Sequence, residues 1–220
     1  MSDLIRATDS PDPNLRWEAV DSLGAIRDTR ATRAVLERAI KDDDVHVRWR
    51  SIWAITSLDD GQVVPALLDA LKSGDETVVW NAAIALSVFG RSEAVPTLLS
   101  GLHSQKAFQR WEAVNALGSV YNEETIPALI SALKEDDSDI RREAALSLGR
   151  IGKKSAVKAL LKSLGEDKDP QVRWRAAMAL GRIGEPCVDV SLRELMAIEE
   201  DQEVRKHLLE TIKALDDRNK

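Results

Sequence analysis

Apolar residues recur three and four positions apart along most of the chain, which is the spacing of one face of an α-helix. The pattern is seen in segments such as LRWEAVDSLGAI and VRWRAAMALGRI, and in intervening segments such as QVVPALLDALK and ETIPALISALK. Short joints rich in Gly, Asp and Ser separate these segments. No stretch shows the strict alternation of a half-buried strand, so the sequence predicts an all-α protein.

One type of segment recurs seven times at a nearly constant interval. We call its third residue the reference position. Successive reference positions are 31 or 32 residues apart. The seven residues at the reference position are Trp17, Trp49, Trp80, Trp111, Arg142, Trp174 and Lys206. Such regular repetition predicts a solenoid in which each unit contacts mainly its neighbours.

Each repeat contains two amphipathic segments and therefore predicts a helical hairpin. Pro65, Pro96 and Pro127 fall in the first turn of the first helix, where a missing N–H costs nothing. The first repeat is incomplete, because only residues 3–7 precede its second helix. The last second helix has a polar outer side, which suits a terminal cap. We expect about seven hairpins of 31–32 residues that form a single domain over residues 1–220.

The pattern D-x-x-V-R-x-x-A-A-x-A-L-G-x-I-G, written here as DPQVRWRAAMALGRIG over residues 169–184, resembles the HEAT-like repeat of the phycobilisome-lyase type. This resemblance covers nearly the whole chain. It implies a right-handed α-α superhelix, a HEAT-like solenoid, whose second helices line the concave wall. Proteins with such repeats include bilin lyase subunits, bilin-protein chaperones, deoxyhypusine hydroxylase and many scaffolds, so the resemblance is specific for fold and not for function.

A helical wheel of the second helices separates a core stripe from an outward face. In the sixth repeat Val172, Ala176, Ala179 and Ile183 form the stripe, with Leu180 beside it. The tryptophan at the reference position lies on the opposite side of the wheel. We therefore expect an aliphatic core and a column of tryptophans facing outward, which the resemblance places on the concave wall.

Tryptophan is unusually frequent here, with six Trp against two Phe and one Tyr. Five occupy the reference position, and Trp53 lies one helical turn further on. A Trp side chain buries roughly 150–250 Å², so the column has the size of an interface. The alternative is a structural ladder in which each Trp packs on its neighbours and on Arg50, Arg142 or Arg175 by cation–π contact. The candidate partner-binding residues are Trp17, Trp49, Trp53, Trp80, Ile84, Trp111, Asn115, Arg142, Leu146, Trp174, Arg175, Met178 and Arg182.

An arginine precedes most reference positions, and an aspartate lies four residues before that arginine. The arginines are Arg16, Arg48, Arg110, Arg141, Arg173 and Arg205, and the aspartates are Asp12, Asp44, Asp75, Asp137, Asp169 and Asp201. Val79 and Lys106 are the exceptions. Such aspartates predict helix N-caps, and together with the arginines they predict ion pairs between repeats. A basic stripe for phosphates is disfavoured, because each arginine comes with an acid.

Composition restricts the function further. The 220 residues carry a net charge of −6, 44% hydrophobic residues, one Cys and three His. A single cysteine excludes an intrachain disulfide and a zinc-ribbon site. No apolar run approaches the roughly 20 residues of a membrane span, and the N-terminus has no signal-peptide pattern. We expect a cytoplasmic protein with no metal, no cofactor and no membrane partner.

Catalytic residues are scarce in the sequence. His46, His103 and His207 have no acid or nucleophile at a recognisable spacing, and Cys187 after Pro186 fits a packing role. The resemblance to deoxyhypusine hydroxylase implies a di-iron site built from His-Glu motifs, and no His-Glu dipeptide occurs. HEAT-like DNA glycosylases hold DNA with concave Trp and an acid, and the net negative charge disfavours nucleic acid.

The sequence thus supports three hypotheses. The first is a non-enzymatic scaffold or adaptor whose Trp-lined concave face binds a peptide or protein, with Arg142, Arg175 and Arg182 selecting an acidic or carbonyl-rich partner. The second follows from the resemblance: a bilin lyase subunit, or a chaperone for a bilin or phycobiliprotein, with a tetrapyrrole stacked in the Trp groove. The third is a subunit of a larger assembly. No cofactor is implied by the first or third.

Overall fold

A computed structural model describes residues 1–185 and 188–218, the last of these by its backbone alone. Within those ranges the chain forms fourteen α-helices and no strand, which confirms the all-α prediction. Pro186 and Cys187, for which the sequence predicts the start of a first helix, lie outside the described residues. Two compact units, Met1–Leu98 and Leu99–Lys220, divide the chain.

Unit 1 consists of hairpins in which α2, α4 and α6 are the second helices. Helix α2 packs on α4, α3 packs on α4, and α6 packs on α3 and α5. The short α1 is the incomplete first helix that the sequence predicts. The helices are α1 Ser2–Ala7, α2 Pro13–Ile26, α3 Thr32–Lys41, α4 Val45–Ser57, α5 Val63–Ala70 and α6 Glu76–Val88, followed by α7 Val95–Gly101, which ends in unit 2.

Unit 2 contains a continuous row of second helices. Helix α8 packs on α10, α10 on α12, and α12 on α14, while α9, α11 and α13 pack on the second helix of their own hairpin. Contacts between successive hairpins of this kind define an α-solenoid. The helices are α8 Ala107–Ser119, α9 Ile126–Ala132, α10 Ser138–Ile151, α11 Val157–Glu166, α12 Pro170–Ile183, α13 Val188–Ile198 and α14 Gln202–Arg218.

The aspartates that the sequence predicts as N-caps do begin the second helices. In α4, for example, the Asp44 carboxylate accepts hydrogen bonds from the backbone N–H groups of His46 and Val47 at 2.8 and 3.0 Å. The same cap is formed by Asp12, Asp75, Asp137, Asp169 and Asp201. Lys106, the exception in the sequence, precedes α8 without a side-chain cap. Each cap stabilises its helix by about 1 kcal/mol.

The core is aliphatic, as the wheel predicts. The leucine or isoleucine six residues after the reference position is at most 2% exposed in every repeat: Leu23, Ile55, Leu86, Leu117, Leu148, Leu180 and Ile212. Val172, Ala176 and Ala179 of the predicted stripe are also buried. Ile183 is only half-buried, because it lies at the last residue of α12.

Glycines in the second helices allow these helices to touch through their backbones. A Cβ added to Gly149 of α10 would lie 2.8 Å from the Cα and Cβ of Ala179 in α12. Gly24 lies in the same way against Ala54, and Gly118 against Ser147. The structure shows that they set the separation of neighbouring helices.

The arginines before the reference position connect successive repeats, although not to the predicted acids. Arg141 donates from Nε and Nη2 to both oxygens of Asp167 at 2.8 and 2.9 Å, and from Nη1 to the carbonyls of Glu135 and Asp136. Its partner lies two residues before the next N-cap and not at the cap, so the predicted pairing with the caps was wrong. The caps use their carboxylates on backbone N–H groups.

We call this arrangement the arginine clamp. Arg16 forms it with Asp42, and Arg173 with Glu199 at 2.7 Å to each oxygen. These hydrogen bonds raise the pKa of Arg173 and lower the pKa of Glu199. The clamp is bidentate and largely removed from water, the arrangement in which Arg–carboxylate pairs are strongest.

Candidate binding faces

The unit 1 face is formed by the outward side chains of α2, α4 and α6. On α2 the indole Nε1 of Trp17 donates to Asn14 Oδ1 at 3.3 Å. The guanidinium of Arg50 lies over the Trp17 ring at 5.3 Å from its centre and pairs with Asp21 at 2.9 Å. The positive charge on this face is therefore neutralised by a neighbouring acid.

Exposure on the unit 1 face differs strongly from one aromatic residue to the next. Trp53 is 62% exposed, while Trp17, Trp49 and Trp80 are half-buried. Ile84 is only 3% exposed and belongs to the core, which corrects its predicted place on the outward face. The reason is that α6 is apolar on all sides and is buried continuously over residues 81–87.

The unit 2 face begins with an aromatic pair on α8. Phe108 and Trp111 stack with ring centres 6.0 Å apart, and Phe108 is 53% exposed. They line a cleft of about 430 Å³ whose other walls are Ala107, Asp137, Asp139, Ile140 and Arg142. Phe108 is not among the binding residues that the sequence predicts. Its position three residues before Trp111 places both side chains on one helical face and could have indicated it.

Beside this cleft lies a network of polar groups that join α8 to α10. The buried Glu143 carboxylate accepts from Asn115 Nδ2 at 3.1 Å and from Arg150 Nη2 at 2.9 Å. Burial raises the pKa of Glu143 and lowers that of Arg150. Arg142 pairs with Asp139 at 2.6 Å on the surface, and Leu146 is half-buried. Asn115 is therefore already engaged in holding the helices together.

The third part of the unit 2 face surrounds Trp174 on α12. The guanidinium of Arg175 lies over the indole at 4.3 Å, and the His207 ring stacks on Trp174 at 4.8 Å between centres. Trp174 Nε1 and Arg175 Nε are buried without a hydrogen-bond partner in the described part of the chain. Met178 is half-buried and Arg182 is exposed. Burial and the nearby Arg142 and Arg182 lower the pKa of Arg175.

These contacts combine features of both sequence hypotheses for the tryptophans. The predicted cation–π contacts occur for Arg50 and Arg175, whereas Arg142 pairs with an aspartate instead. The structure shows Phe108 stacked on Trp111 and Trp174 stacked on His207. The aromatic residues thus pack in part on neighbours and leave part of their surface open.

Acidic and histidine side chains show one arrangement that the sequence did not indicate. His207 Nδ1 lies 3.1 Å from Glu210 Oε2, so the reading that none of the three histidines has an acid partner was wrong for this residue. Within the described ranges, no group of three or more His, Cys, Asp or Glu side chains could hold a metal ion. No helix there is long and apolar enough to cross a membrane.

Solved structures with a similar backbone span nearly the whole chain. Escherichia coli YibA is 17% identical with a TM-score of 0.56 over 97% of this chain and 82% of its own. The CpcE–CpcF complex of phycocyanin lyase from Nostoc is 20% identical with a TM-score of 0.54, over 96% of this chain and 93% of the other. Human deoxyhypusine hydroxylase is 22% identical with a TM-score of 0.51, over 97% and 83%.

At these identities the structural likeness is one of fold. No curated protein sequence matches the chain significantly. The model of HEAT repeats, by contrast, matches residues 1–87, 32–118, 64–147 and 126–213, which together cover nearly all of the sequence. These overlapping matches follow the hairpins, the N-cap aspartates and the aliphatic core described above. The chain therefore belongs to the family of HEAT-repeat proteins.

Proposed function

We propose that this protein is a non-enzymatic interaction scaffold or adaptor that binds a peptide or protein surface through the aromatic faces of its second helices. The observation that carries the proposal is the open aromatic surface opposite the core. Trp53 is 62% exposed in unit 1, and Phe108 and Trp111 line an open cleft in unit 2. A contiguous exposed apolar patch on a folded protein commonly marks an interaction site.

The size and type of these side chains fit a binding role. A specific interface buries about 800 Å² on each partner, and a few Trp, Tyr and Arg residues commonly supply most of its binding energy. The two faces of this protein are composed of the same residue types. We assign the contacts to Trp53 and Trp49 in unit 1 and to Trp111, Trp174 and Arg175 in unit 2.

The charged groups of the faces favour binding over catalysis. Glu143 is held by Asn115 and Arg150, and Asp21 is held by Arg50. Carboxylates fixed in this way position helices and are not placed to transfer a proton to a ligand. The adaptor role therefore assigns the acids to structure and the aromatic residues to recognition.

Variant-dependent capture tests the adaptor role. The tagged full-length protein and its Trp53→Ala and Trp111→Ala variants are compared by pull-down and quantitative mass spectrometry. Ile198→Ala is the matched control, because Ile198 is 73% exposed and lies on a first helix. We expect the captured amount of each specific partner to fall at least fivefold with either Trp variant and to stay unchanged with Ile198→Ala. Equal capture by all four proteins would refute the role.

A second candidate function is the handling of an open-chain tetrapyrrole, as in the phycobilisome-lyase type of repeat. It is supported by the aromatic pair Phe108–Trp111 beside a cleft of about 430 Å³, within the size range of small-molecule sites. The fold is similar to that of the phycocyanin lyase subunits. Adding phycocyanobilin to the purified protein tests it. A shifted visible spectrum that Trp111→Ala abolishes supports this function, and an unchanged spectrum rejects it.

A further inference from the structure

Positive charge on the unit 2 face exceeds negative charge. Arg142 is paired with Asp139, and Arg150 with Glu143. Arg175 and Arg182 form no hydrogen bond or ion pair with the residues that the structure describes, although the Glu143 carboxylate lies near enough to attract Arg175. Two guanidinium groups without a direct acid partner therefore lie on this face of a protein whose net charge is −6.

The environment of Arg175 favours an anionic ligand. Its guanidinium is stacked on Trp174, with the central carbon 4.3 Å from the ring centre. Stacking occupies the face of the group and leaves in-plane N–H donors for an acceptor, the geometry in which arginine binds carboxylates. Burial first, and then repulsion from Arg142 and Arg182, lower the pKa of Arg175 against the opposing attraction of Glu143, and a bound anion would offset the burial and the repulsion.

The same face of unit 2 contains an apolar subsite two helices away. The cleft beside Phe108 and Trp111 opens between α8 and α10, and Arg175 lies on α12. Helices α8, α10 and α12 pack in succession. Packed helices are about 8–10 Å apart, so the aromatic pair on α8 and Arg175 on α12 are separated by roughly 16–20 Å. An extended peptide advances about 3.3 Å per residue and spans this distance in five or six residues.

We infer that unit 2 binds an extended acidic peptide segment that inserts an aromatic side chain into the Phe108–Trp111 cleft and places an Asp or Glu carboxylate on Arg175 and Arg182, five or six residues away. This inference rests on the proposed adaptor function and specifies its partner. Charge complementarity selects the peptide, because the two arginines without a direct acid partner and the aromatic cleft lie on one face.

Fluorescence anisotropy with labelled peptides tests the inference on the full-length protein. Each peptide has a Gly-Ser background, one Phe and one pair of Glu residues, with two, five, six or nine positions between them, in both chain directions. We expect the peptides with a spacing of five or six in one direction to bind at least tenfold more tightly than those with a spacing of two. Replacing Glu by Gln in the tightest-binding peptide should weaken its binding at least tenfold.

Protein variants locate the two subsites. Arg175→Gln with Arg182→Gln, and separately Phe108→Ala, should each weaken the best peptide at least fivefold. The charge-matched control is Lys158→Gln with Lys162→Gln, both exposed on the first helix α11, and it should bind as the parent does. Circular dichroism establishes that each variant is folded, and the Gln-for-Glu peptide tests the carboxylate on the unaltered protein.

Other outcomes overturn the inference. Binding that does not depend on spacing, equal loss in the lysine control, or tighter binding of a labelled single-stranded oligonucleotide would each contradict a peptide site of this design. If no peptide binds while pull-down partners still depend on Trp53 and Trp111, the adaptor function stands and this assignment of the partner is wrong. If the pull-down shows no dependence on either tryptophan, the adaptor function itself fails.

Discussion

The second helices pack differently in the two units, although both are built from the same repeat. In unit 2, α8, α10, α12 and α14 form an unbroken row. In unit 1, α2 packs closely on α4, but α6 packs on α3 and α5 and barely touches α4. The difference shows which residues of the repeat are required for regular stacking and which are only associated with it.

Two features accompany every close pair of second helices within a unit. A glycine seven residues after the reference position allows backbone contact, as Gly24 does between α2 and α4 and Gly149 does between α10 and α12. An arginine clamp, or in the case of Arg110 and Glu135 a single longer pair at 3.4 Å, ties each helix to the next joint. Helix α4 lacks both features.

Two residues of unit 1 explain why α4 lacks the glycine contact and the clamp. Thr56 occupies the glycine position of α4, and its side chain prevents the backbone approach that glycine permits. Ser73 occupies the position of the clamp acid, so Arg48 donates only to the carbonyl oxygens of Asp42 and Asp43. The loosely packed α4–α6 pair therefore lacks both the glycine that allows backbone contact and the ion pair to the next joint.

Breaking a clamp in unit 2 should have the largest effect. Arg141→Met leaves the Asp167 carboxylate, 6% exposed, without its partner, which costs about 3–5 kcal/mol of unfolding free energy. Arg48→Met removes only hydrogen bonds to backbone carbonyls and should cost about 1 kcal/mol. Urea unfolding followed by circular dichroism measures both.

A double variant separates the clamp from general damage. Adding Asp167→Leu to Arg141→Met removes the unpaired carboxylate as well and should recover more than half of the lost stability. If Arg48→Met and Arg141→Met destabilise the protein equally, the clamp does not explain the difference between the regular and the loose helix pairs.

The next largest loss of stability should come from replacing Trp174, and replacing Trp53 should cost much less. Trp174 is half-buried against Arg175 and His207, so Trp174→Ala should cost about 2 kcal/mol, less than the 3–5 kcal/mol of a fully buried Trp. Trp53, 62% exposed on α4, should change stability by less than about 0.5 kcal/mol when replaced by Ala. Thermal unfolding of the two variants side by side checks this, and a larger loss for Trp53→Ala would contradict the packing described here.

Sequence periodicity was sufficient to predict the fold, but it was insufficient to predict which residues form the two faces. Leu148 and its equivalents were placed in the core correctly because burial follows the helical period. Ile84 was placed outside incorrectly, because a wheel assumes that every second helix has the same neighbours, and α6 has different ones. The partner of Arg141 was missed for a related reason. A clamp to a residue 26 positions away depends on the stacking of hairpins and not on spacing within one helix.

Disrupting the glycine contact should cost less unfolding free energy than breaking the clamp. Gly149→Ala adds a Cβ 2.8 Å from Ala179 Cα, and such overpacking costs about 1–3 kcal/mol. Alanine also favours the helix by about 1 kcal/mol over glycine, so the net loss should be about 1 kcal/mol. Gly74→Ala is the control, since nothing lies within 4 Å of its added Cβ. Chemical denaturation that shows Gly149→Ala to be neutral or stabilising would remove glycine from the explanation.

The smallest expected effect is on the protonation of a clamp acid. Hydrogen bonds from Arg173 lower the pKa of Glu199, so ionised Glu199 stabilises the folded protein above its unfolded pKa, and this contribution is lost as the pH falls through the folded value. Burial raises the pKa of Glu143, so its protonation on acidification favours the folded state instead. Carboxyl-carbon NMR titration should therefore show Glu199 below and Glu143 above the ordinary glutamate range. Arg173→Met should return the pKa of Glu199 toward that range and leave Glu143 raised, whereas an unshifted Glu199 in the parent protein would mean that the clamp does not hold in solution.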